Sequence, residues 1–376
     1  MIYLDNSATT KPYPEVLTLY TTISSQYFGN PSSLHSLGME AEQILNHARK
    51  KIAHFLSCQK EQLIFTSGGT EANVFAIKGI VTKEKAAHII TTTVEHASVY
   101  ETIRHLEEVG HEVTYLQGDA FGRVTVEQVK GAIKKNTVLV SIGHVQGELG
   151  TIQPIQELAE MLSAYPRIQF HVDAVQSLLK VSIGSLAKID LMTLSSHKIH
   201  GTNGTGLLYV KNLSLVKSLL HGGGQEQSLR PGSEHVAGIA CFAKALEMGA
   251  TVAEKEQGRL LSLRNLLVHE LEQLPGVFIN SAIDTSAPHI CNISISKIKA
   301  EVLVQSLSQE KIYVSTQSAC STKTGAPSRI LLGAGHDRER AETAIRISMS
   351  FLTTEKEVTT CIEALKRLVP KLQEVT

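Results

Sequence analysis

Residues 190–210 read DLMTLSSHKIHGTNGTGLLYV. An apolar run stops at two serines, a lysine follows two residues later, and a glycine-rich turn leads into a second apolar run. Short apolar runs bounded by turn residues read as buried strands. Outward from this stretch the pattern repeats in QLIFTS (62–67), AAHIITTTVEH (86–96), TVLVSIGHV (137–145) and IQFHVDAV (168–175). Helical spacing lies between them, as in TEANVFAIKG (70–79). From about residue 14 to the 250s, strand and helix alternate, which predicts an α/β fold with a mostly parallel sheet.

Residues 38–56 place Met39, Ile44, Leu45, Ala48, Ile52 and Phe55 at helical spacing. Residues 245–274 predict a long helix interrupted at Gly249 and Gly258. After it come strand candidates HICNISI (289–295) and AIRISMS (344–350), and a last helix opened by a Thr354/Glu357 capping box. Val358, Cys361, Ile362, Leu365 and Val369 then share one face, which makes Cys361 a core residue. A domain boundary is expected near residue 256.

The chain has 376 residues, 42% of them apolar and 19% charged, which fits a globular protein large enough for two domains. Lys plus Arg and Asp plus Glu are 36 each, so no broad basic field invites nucleic acid. The opening MIYLDNSATT lacks a charged-then-apolar layout, and no unbroken 18-residue apolar run follows. A soluble, cytoplasmic protein with no membrane contact is expected. The five cysteines are scattered with no C-x-x-C, which argues against a disulfide frame or a zinc knuckle.

In an open α/β sheet, ligands bind off the carboxyl ends of strands. Lys198 stands at such an end and could form a Schiff base; a lone lysine there is more often a surface residue. Asp173, closing HVDAVQS (171–177), either caps the next turn or pairs with a cation such as the ring nitrogen of pyridoxal phosphate. Gln176 could then reach the ring oxygen. FTSGGTEAN (65–73) puts Gly69 and Thr70 at a helix start, an anion cradle without the G-K-[ST] ending of a nucleotide-triphosphate loop. His96 could stack on a cofactor or shuttle protons, or be a satisfied structural histidine. Arg346, inside a strand, wants a carboxylate, supplied either by an amino-acid substrate or by a structural ion pair. SACSTKTGAPS (318–328) has neither period and reads as a loop carrying Cys320.

The ordered set LDNSATT, GNPSSLH, FTSGGTEAN, VEH, HVDAVQS, SSHKIHG, GGGQEQSLRPGSEHVAG and SAC resembles the cysteine desulfurases, class V of the fold-type-I pyridoxal-phosphate enzymes. The likeness runs collinearly from residue 3 to about residue 356, and the Cys320 region resembles the long-loop branch. It implies a large domain (13–256) with a mostly parallel seven-stranded sheet. A smaller α+β domain (1–12 and 257–376) would carry the cysteine loop. It also implies pyridoxal 5'-phosphate as cofactor, L-cysteine as substrate and L-alanine as product. A persulfide would form on Cys320 and pass to an acceptor protein, such as an iron–sulfur scaffold or a tRNA-thiolating enzyme. Lys198 resembles the Schiff-base lysine, Asp173 the ring-nitrogen partner, Gln176 the ring-oxygen partner and His96 the stacking histidine. Thr70, Ser195 and His197 resemble the phosphate ligands. Ser233 stands where the family usually has a threonine that reaches the neighbouring subunit's phosphate, which implies a homodimer. Arg346 resembles the substrate-carboxylate arginine, and Lys323 could help hold the Cys320 thiolate.

One stretch departs from the family. HVQGELG (144–150) replaces the usual V-N-N-E-I-G, so Gln146 and Gly147 stand where two asparagines are usual. The second asparagine normally touches the substrate carboxylate, and its loss implies weaker substrate binding. Other readings are a selenocysteine lyase, an aminotransferase, or a weakly active cofactor-binding protein that docks sulfur acceptors. SSHK and KTG (323–325) also fit short motifs of penicillin-recognising serine enzymes, but the S-D-N element is missing.

Overall fold

The computed structural model describes residues 1–316 and 326–374, the side chain of residue 257 excepted. Its strands are β1 (Ile2–Tyr3), β2 (Leu63–Thr66), β3 (His88–Thr92), β4 (Glu112–Leu116), β5 (Thr137–Gly143), β6 (Gln169–Asp173), β7 (Leu191–Ser195), β8 (Gly206–Val210), β9 (Val277–Ile279), β10 (Ile290–Ile295), β11 (Ile312–Tyr313) and β12 (Ala344–Ser348). Its helices are α1 (Pro14–Gln26), α2 (Ser36–Leu56), α3 (Gly69–Val81), α4 (Ala97–Glu108), α5 (Val126–Ala132), α6 (Ile155–Leu162), α7 (Val236–Glu272), α8 (Ala300–Gln309), α9 (Arg329–Gly333), α10 (Arg338–Glu342) and α11 (Glu355–Gln373).

The large sheet has seven strands in the order β2-β8-β7-β6-β5-β3-β4. Strands β7, β6, β5, β3 and β4 run parallel, and β8 opposes both of its neighbours. Strands β2, β3, β7 and β8 are buried throughout, as expected where helices cover both faces of a sheet. The parallel run brings the carboxyl ends of β3, β5, β6 and β7 to one edge, where the motif residues follow. Edge strand β4 escaped the sequence reading: EVTYL is mostly half-buried and begins with an exposed glutamate, so neither apolar-run nor alternation signal was strong.

A smaller antiparallel sheet, β12-β10-β9, packs with α8 and α11 around a second core that includes Leu4, Ile293, Ile347, Cys361 and Leu365. Helix α11 opens with the expected capping box, and all five residues assigned to its inner face are buried. At the other end of the chain, β1 pairs in parallel with β11, and Asp5 bridges to Ser348.

Helix α7 corrects the expected break. It runs unbroken for 37 residues through both Gly249 and Gly258. A helix-interior glycine costs about 1 kcal/mol, but here both halves of the helix are anchored. Its first half packs in the large core through Phe242 and Leu246, and its second in the small core through Leu260 and Leu267. Gly249 also has a packing reason, since a Cβ there would stand 2.4 Å from Leu179 Cδ1. Residues Val236–Glu256 are long and apolar enough to cross a membrane, with mean hydropathy 1.4, but 61% of that stretch is buried within the fold. We propose 13–256 as one domain and 1–12 with 257–376 as the other, the division falling inside a continuous helix rather than in a linker.

On α2, Leu45, Ala48 and Ile52 are buried as expected, whereas Met39 and Phe55 are exposed. At 100° per residue, Met39 lies on the far face of the helix and Phe55 at the stripe's edge. Cys58 is half-buried, and Cys241, Cys291 and Cys361 are buried; all four are free thiols.

Candidate active site

A cavity of about 330 Å³ opens at the carboxyl edge of the parallel strands. It gathers Gly69, Thr70, His96, Gly147, Asp173, Gln176, Ser195, His197, Lys198 and Arg346. Two larger hollows, about 610 and 1090 Å³, contain none of the candidate cofactor, substrate or catalytic residues. Ser233 is exposed and does not line the cavity of its own chain. Cys320 and Lys323 lie outside the described residues.

At one end of the cavity is the N-terminus of the 13-residue α3. Gly69 starts it, and a Cβ there would meet Val175 Cγ2 at 2.9 Å, so the close approach of helix and strand loop needs glycine. Thr70 follows in the first turn. Across from it, the buried Ser195 hydroxyl has no hydrogen-bond partner among the described residues. His197 holds Thr9 Oγ1 with Nδ1 at 3.1 Å. Burial, with Lys198 and Lys180 nearby, pushes His197 down to about 4, so at neutral pH it is uncharged. Free amides at a helix start, a hydroxyl and a neutral imidazole form a set suited to an anion.

Asp173 closes β6 with both oxygens engaged. Oδ1 accepts from the Val175 amide at 3.0 Å, and Oδ2 accepts from Asn73 Nδ2 at 2.7 Å. The expected local turn contact and a pocket-facing position therefore coexist. Gln176 donates through Nε2 to Ser7 O at 2.9 Å, and its buried Oε1 has no partner among the described residues. Lys198 stands in the short helical turn after β7 and donates to Ala8 O at 2.8 Å and to Ser7 O. The N-terminal segment 5–9 thus touches Lys198, Gln176, His197 and Arg346.

Arg346 sits 2% exposed in β12 and pairs with Asp5 Oδ1 at 2.9 Å. Its Nη1 donates to Gly147 O at 2.9 Å, while the buried Nε has no partner among the described residues. The ion-pair alternative is therefore present, and these two bonds use two of the five guanidinium N–H donors. His96 caps α4 by accepting from the Ser98 amide. Protein packed round the imidazole lowers its pKa; Asp173 opposes this, and Lys198, Arg329 and Arg346 add to it.

Gln146 and Gly147 are not strand residues but lie in the turn after β5. The Gln146 amide is consumed there: Nε2 donates to Val94 O at 3.1 Å, and Oε1 accepts from the amides of Glu148 and Leu149. It cannot stand in for an amide at 147, because it closes its own turn.

Among the cavity residues to which sequence reasoning gave no role are Asn73, Glu95, Arg329 and Glu148. Asn73 follows Thr70 by three positions, so the helical period alone could have placed it on the same face. Glu95 lies inside the quoted VEH; it is buried, accepts from Thr92 Oγ1 and the Gly143 amide, and is pushed by burial up to about 8. Arg329 donates to Thr93 O and Glu95 O and lies over the Tyr100 ring at 4.0 Å. Glu148 accepts from Ser328 Oγ at 2.7 Å. Neither of the last two carries a local sequence signal.

The aminotransferase class-V family model matches residues 2–360. The NifS/IcsS protein homolog of Lactobacillus delbrueckii subsp. bulgaricus is 41% identical, over 100% of this chain and 99% of the relative. The cysteine desulfurase IscS of Dictyoglomus turgidum is 38% identical, over 100% of this chain and 96% of the relative. A solved NifS-like protein superposes with a TM-score of 0.91 at 33% identity, covering 98% of this chain and 99% of that one. SspA, solved in complex with cysteine, gives a TM-score of 0.81 at 32% identity, over 93% and 99%. Family, collinear relatives and the cavity's residue set agree: the chain belongs to the class-V aminotransferases and, within them, to the cysteine desulfurases.

Proposed function

We propose that this chain uses pyridoxal 5'-phosphate to convert L-cysteine to L-alanine, takes the sulfur on Cys320 and passes it to an acceptor protein in the cytoplasm. The observation that carries this is the convergence of Lys198, Asp173, His96, the α3 anion cradle and Arg346 on one cavity. The cavity fits the cofactor. The partnerless Ser195 hydroxyl and the α3 amides suit its phosphate, with Thr70 and His197 beside them. The Asp173 carboxylate suits its ring nitrogen, and the Gln176 side chain its ring oxygen.

When bound, the cofactor supplies a conjugated ring that draws electrons away from the substrate's α-carbon. The chain's own residues do the rest. Asp173 holds a proton on the ring nitrogen, oriented by Asn73. Arg346 orients the substrate carboxylate through guanidinium N–H donors that Asp5 and Gly147 do not use. Lys198 moves the α-proton. The Cys320 thiolate attacks the substrate sulfur. An S–S bond forms, the substrate C–S bond breaks with its electron pair on carbon, and carbon takes up a proton to give alanine. The test is the product balance: alanine and enzyme-bound sulfane sulfur should appear one for one from L-cysteine, and alanine without sulfane sulfur would overturn the assignment.

The acceptor belongs to the class of sulfur-carrying or sulfur-consuming proteins, an iron–sulfur scaffold or a tRNA-thiolating enzyme. A homodimer is part of the same proposal, since exposed Ser233 reaches no phosphate cradle in its own chain. Sedimentation equilibrium should give twice the chain mass, and Ser233→Ala should weaken cofactor retention. A stable, active monomer would remove Ser233 from the site.

Gly147 limits substrate affinity in this scheme. A Cβ at 147 would stand 3.4 Å from Gln176 Nε2 and 3.6 Å from its Cγ, so an asparagine fits with a small shift of Gln176. One hydrogen bond to a charged group contributes roughly 1.5–3 kcal/mol, or about 10- to 150-fold in binding. Gly147→Asn should raise kcat/KM for L-cysteine by at least about tenfold without moving the cofactor band. An unchanged or lower ratio would mean that the missing amide is not limiting.

A further inference from the structure

A chain of hydrogen bonds runs from Asp173 to His96 through Asn73, the last residue of FTSGGTEAN, and Ser98, neither of which the sequence reading gave a role. Asn73 is 1% exposed. Its Nδ2 donates to Asp173 Oδ2 at 2.7 Å and to Ser98 Oγ at 2.9 Å. A carboxylate only accepts, so the amide nitrogen is the end facing Asp173, and both of its protons are spent. Ser98 Oγ lies 2.8 Å from His96 Nδ1, and the Ser98 backbone amide donates to the same nitrogen at 3.2 Å. The backbone amide makes Nδ1 an acceptor, and Ser98 Oγ, accepting from Asn73, is then left to turn its own proton to the same nitrogen. A backbone N–H cannot accept at all.

We infer that Asn73 and Ser98 are positioning residues that fix His96 as the neutral Nε2–H tautomer, so that it serves the reaction as a hydrogen-bond donor and leaves the α-proton to Lys198. Two donors point at Nδ1, so that nitrogen is unprotonated and the ring proton is on Nε2, on the edge of the imidazole left to the cavity. Accepting a proton at Nε2 from this state is impossible without first moving one to Nδ1. There it would confront the Ser98 N–H directly. The imidazolium is opposed for the same reason and by position: His96 is the N-cap of a 12-residue helix, whose positive end disfavours a cation. Of the charged groups facing the ring, Asp173 favours the cation, while Lys198, Arg329 and Arg346 disfavour it. Burial adds to the latter. A neutral imidazole N–H held in this way polarises an electron-rich atom placed in the cavity without exchanging a proton with it.

The inference rests on the desulfurase reading only for what the donor serves; the tautomer is measured without substrate. Protein carrying its cofactor and ¹⁵N-labelled at histidine should show, for the resonances that vanish in His96→Gln, the Nε2–H pattern across about pH 6 to 8. An Nδ1–H or imidazolium pattern there overturns the inference. Ser98→Ala removes one of the two donors and the link to Asn73 but only trims a side chain. It should shift the tautomer ratio toward Nδ1–H by about fivefold, and Ser98→Thr should restore it. An unmoved ratio in Ser98→Ala overturns the relay through Asn73. In turnover, His96→Gln, which keeps an N–H donor, should retain the shape of the pH–rate profile and exceed His96→Ala. Loss of one limb of that profile would show proton transfer at His96 and overturn the donor role. Failure of the desulfurase reading is told apart by absence of alanine, which leaves the tautomer signals where they are.

Discussion

Lys198→Ala abolishes the visible band of lysine-bound pyridoxal phosphate and lowers alanine formation by at least about 10³. That factor lies within the range for removing one positioned acid–base group, before any loss of covalent cofactor attachment. The lysine sits where β7 ends at the carboxyl edge of the sheet, and its Nζ donates to Ser7 O and Ala8 O. Both acceptors are carbonyls of the N-terminal segment, which stays pinned by the Asp5–Arg346 pair and by Thr10 on His197 O. Truncation at 198 therefore leaves the cavity wall standing, and the variant should fold and still take up free cofactor through the α3 cradle. Absorbance spectra of native and variant protein after addition of pyridoxal phosphate make the check. A native protein that stays colourless, or a Lys198→Ala variant with native band and turnover, would sink the assignment.

Much of this cavity was readable because a parallel sheet has a functional edge. Four strands that announce themselves as apolar runs end in Thr92, Gly143, Asp173 and Ser195, and the residues just beyond each end are the ones that line the cavity. Resemblance supplied the roles; the strand ends supplied the places. What stayed hidden was of two kinds. Some residues act through long-range pairings that no local period encodes. Asp5 meets Arg346 across 341 positions, and Glu148 meets Ser328 across 180. Others are masked by residue type. Asn73 looks like one more polar residue on a helix, yet it is almost completely buried between Asp173 and Ser98. The unbroken α7 taught a third lesson. Glycine predicts a stop when a helix stands alone, but cores that grip both halves override a cost of about 1 kcal/mol at each site.

The opposite half of the chemistry is removed by Cys320→Ser. This variant should bind cofactor, respond spectrally to L-cysteine and yield no cyanolysable sulfane sulfur, with turnover down by at least about 10². A serine oxygen cannot take up sulfur as an S–S bond. Reach permits the role: Ser315 is locked to Arg346 by paired backbone hydrogen bonds of 3.1 and 2.6 Å, and Cys320 is five residues on. Five residues span at most about 18 Å, which is the upper limit on the distance between the two Cα positions. From the other side, Ser328 is fixed to Glu148 in the cavity wall. No other cysteine can replace it. Burial pushes Cys241, Cys291 and Cys361 up to about 12 and Cys58 to about 11. At neutral pH each is overwhelmingly the unreactive thiol, and none of the four lines the cavity. Any sulfane sulfur that survives in Cys320→Ser would therefore have no thiolate on this chain to explain it. A variant that desulfurates L-cysteine at the native rate would make Cys320 incidental and move the sulfur-accepting step off the protein. If the roles are divided as the cavity suggests, Lys198→Ala and Cys320→Ser fail at different points. The first never responds to L-cysteine at the rate of the native protein, and the second responds but stalls with the sulfur still on the substrate.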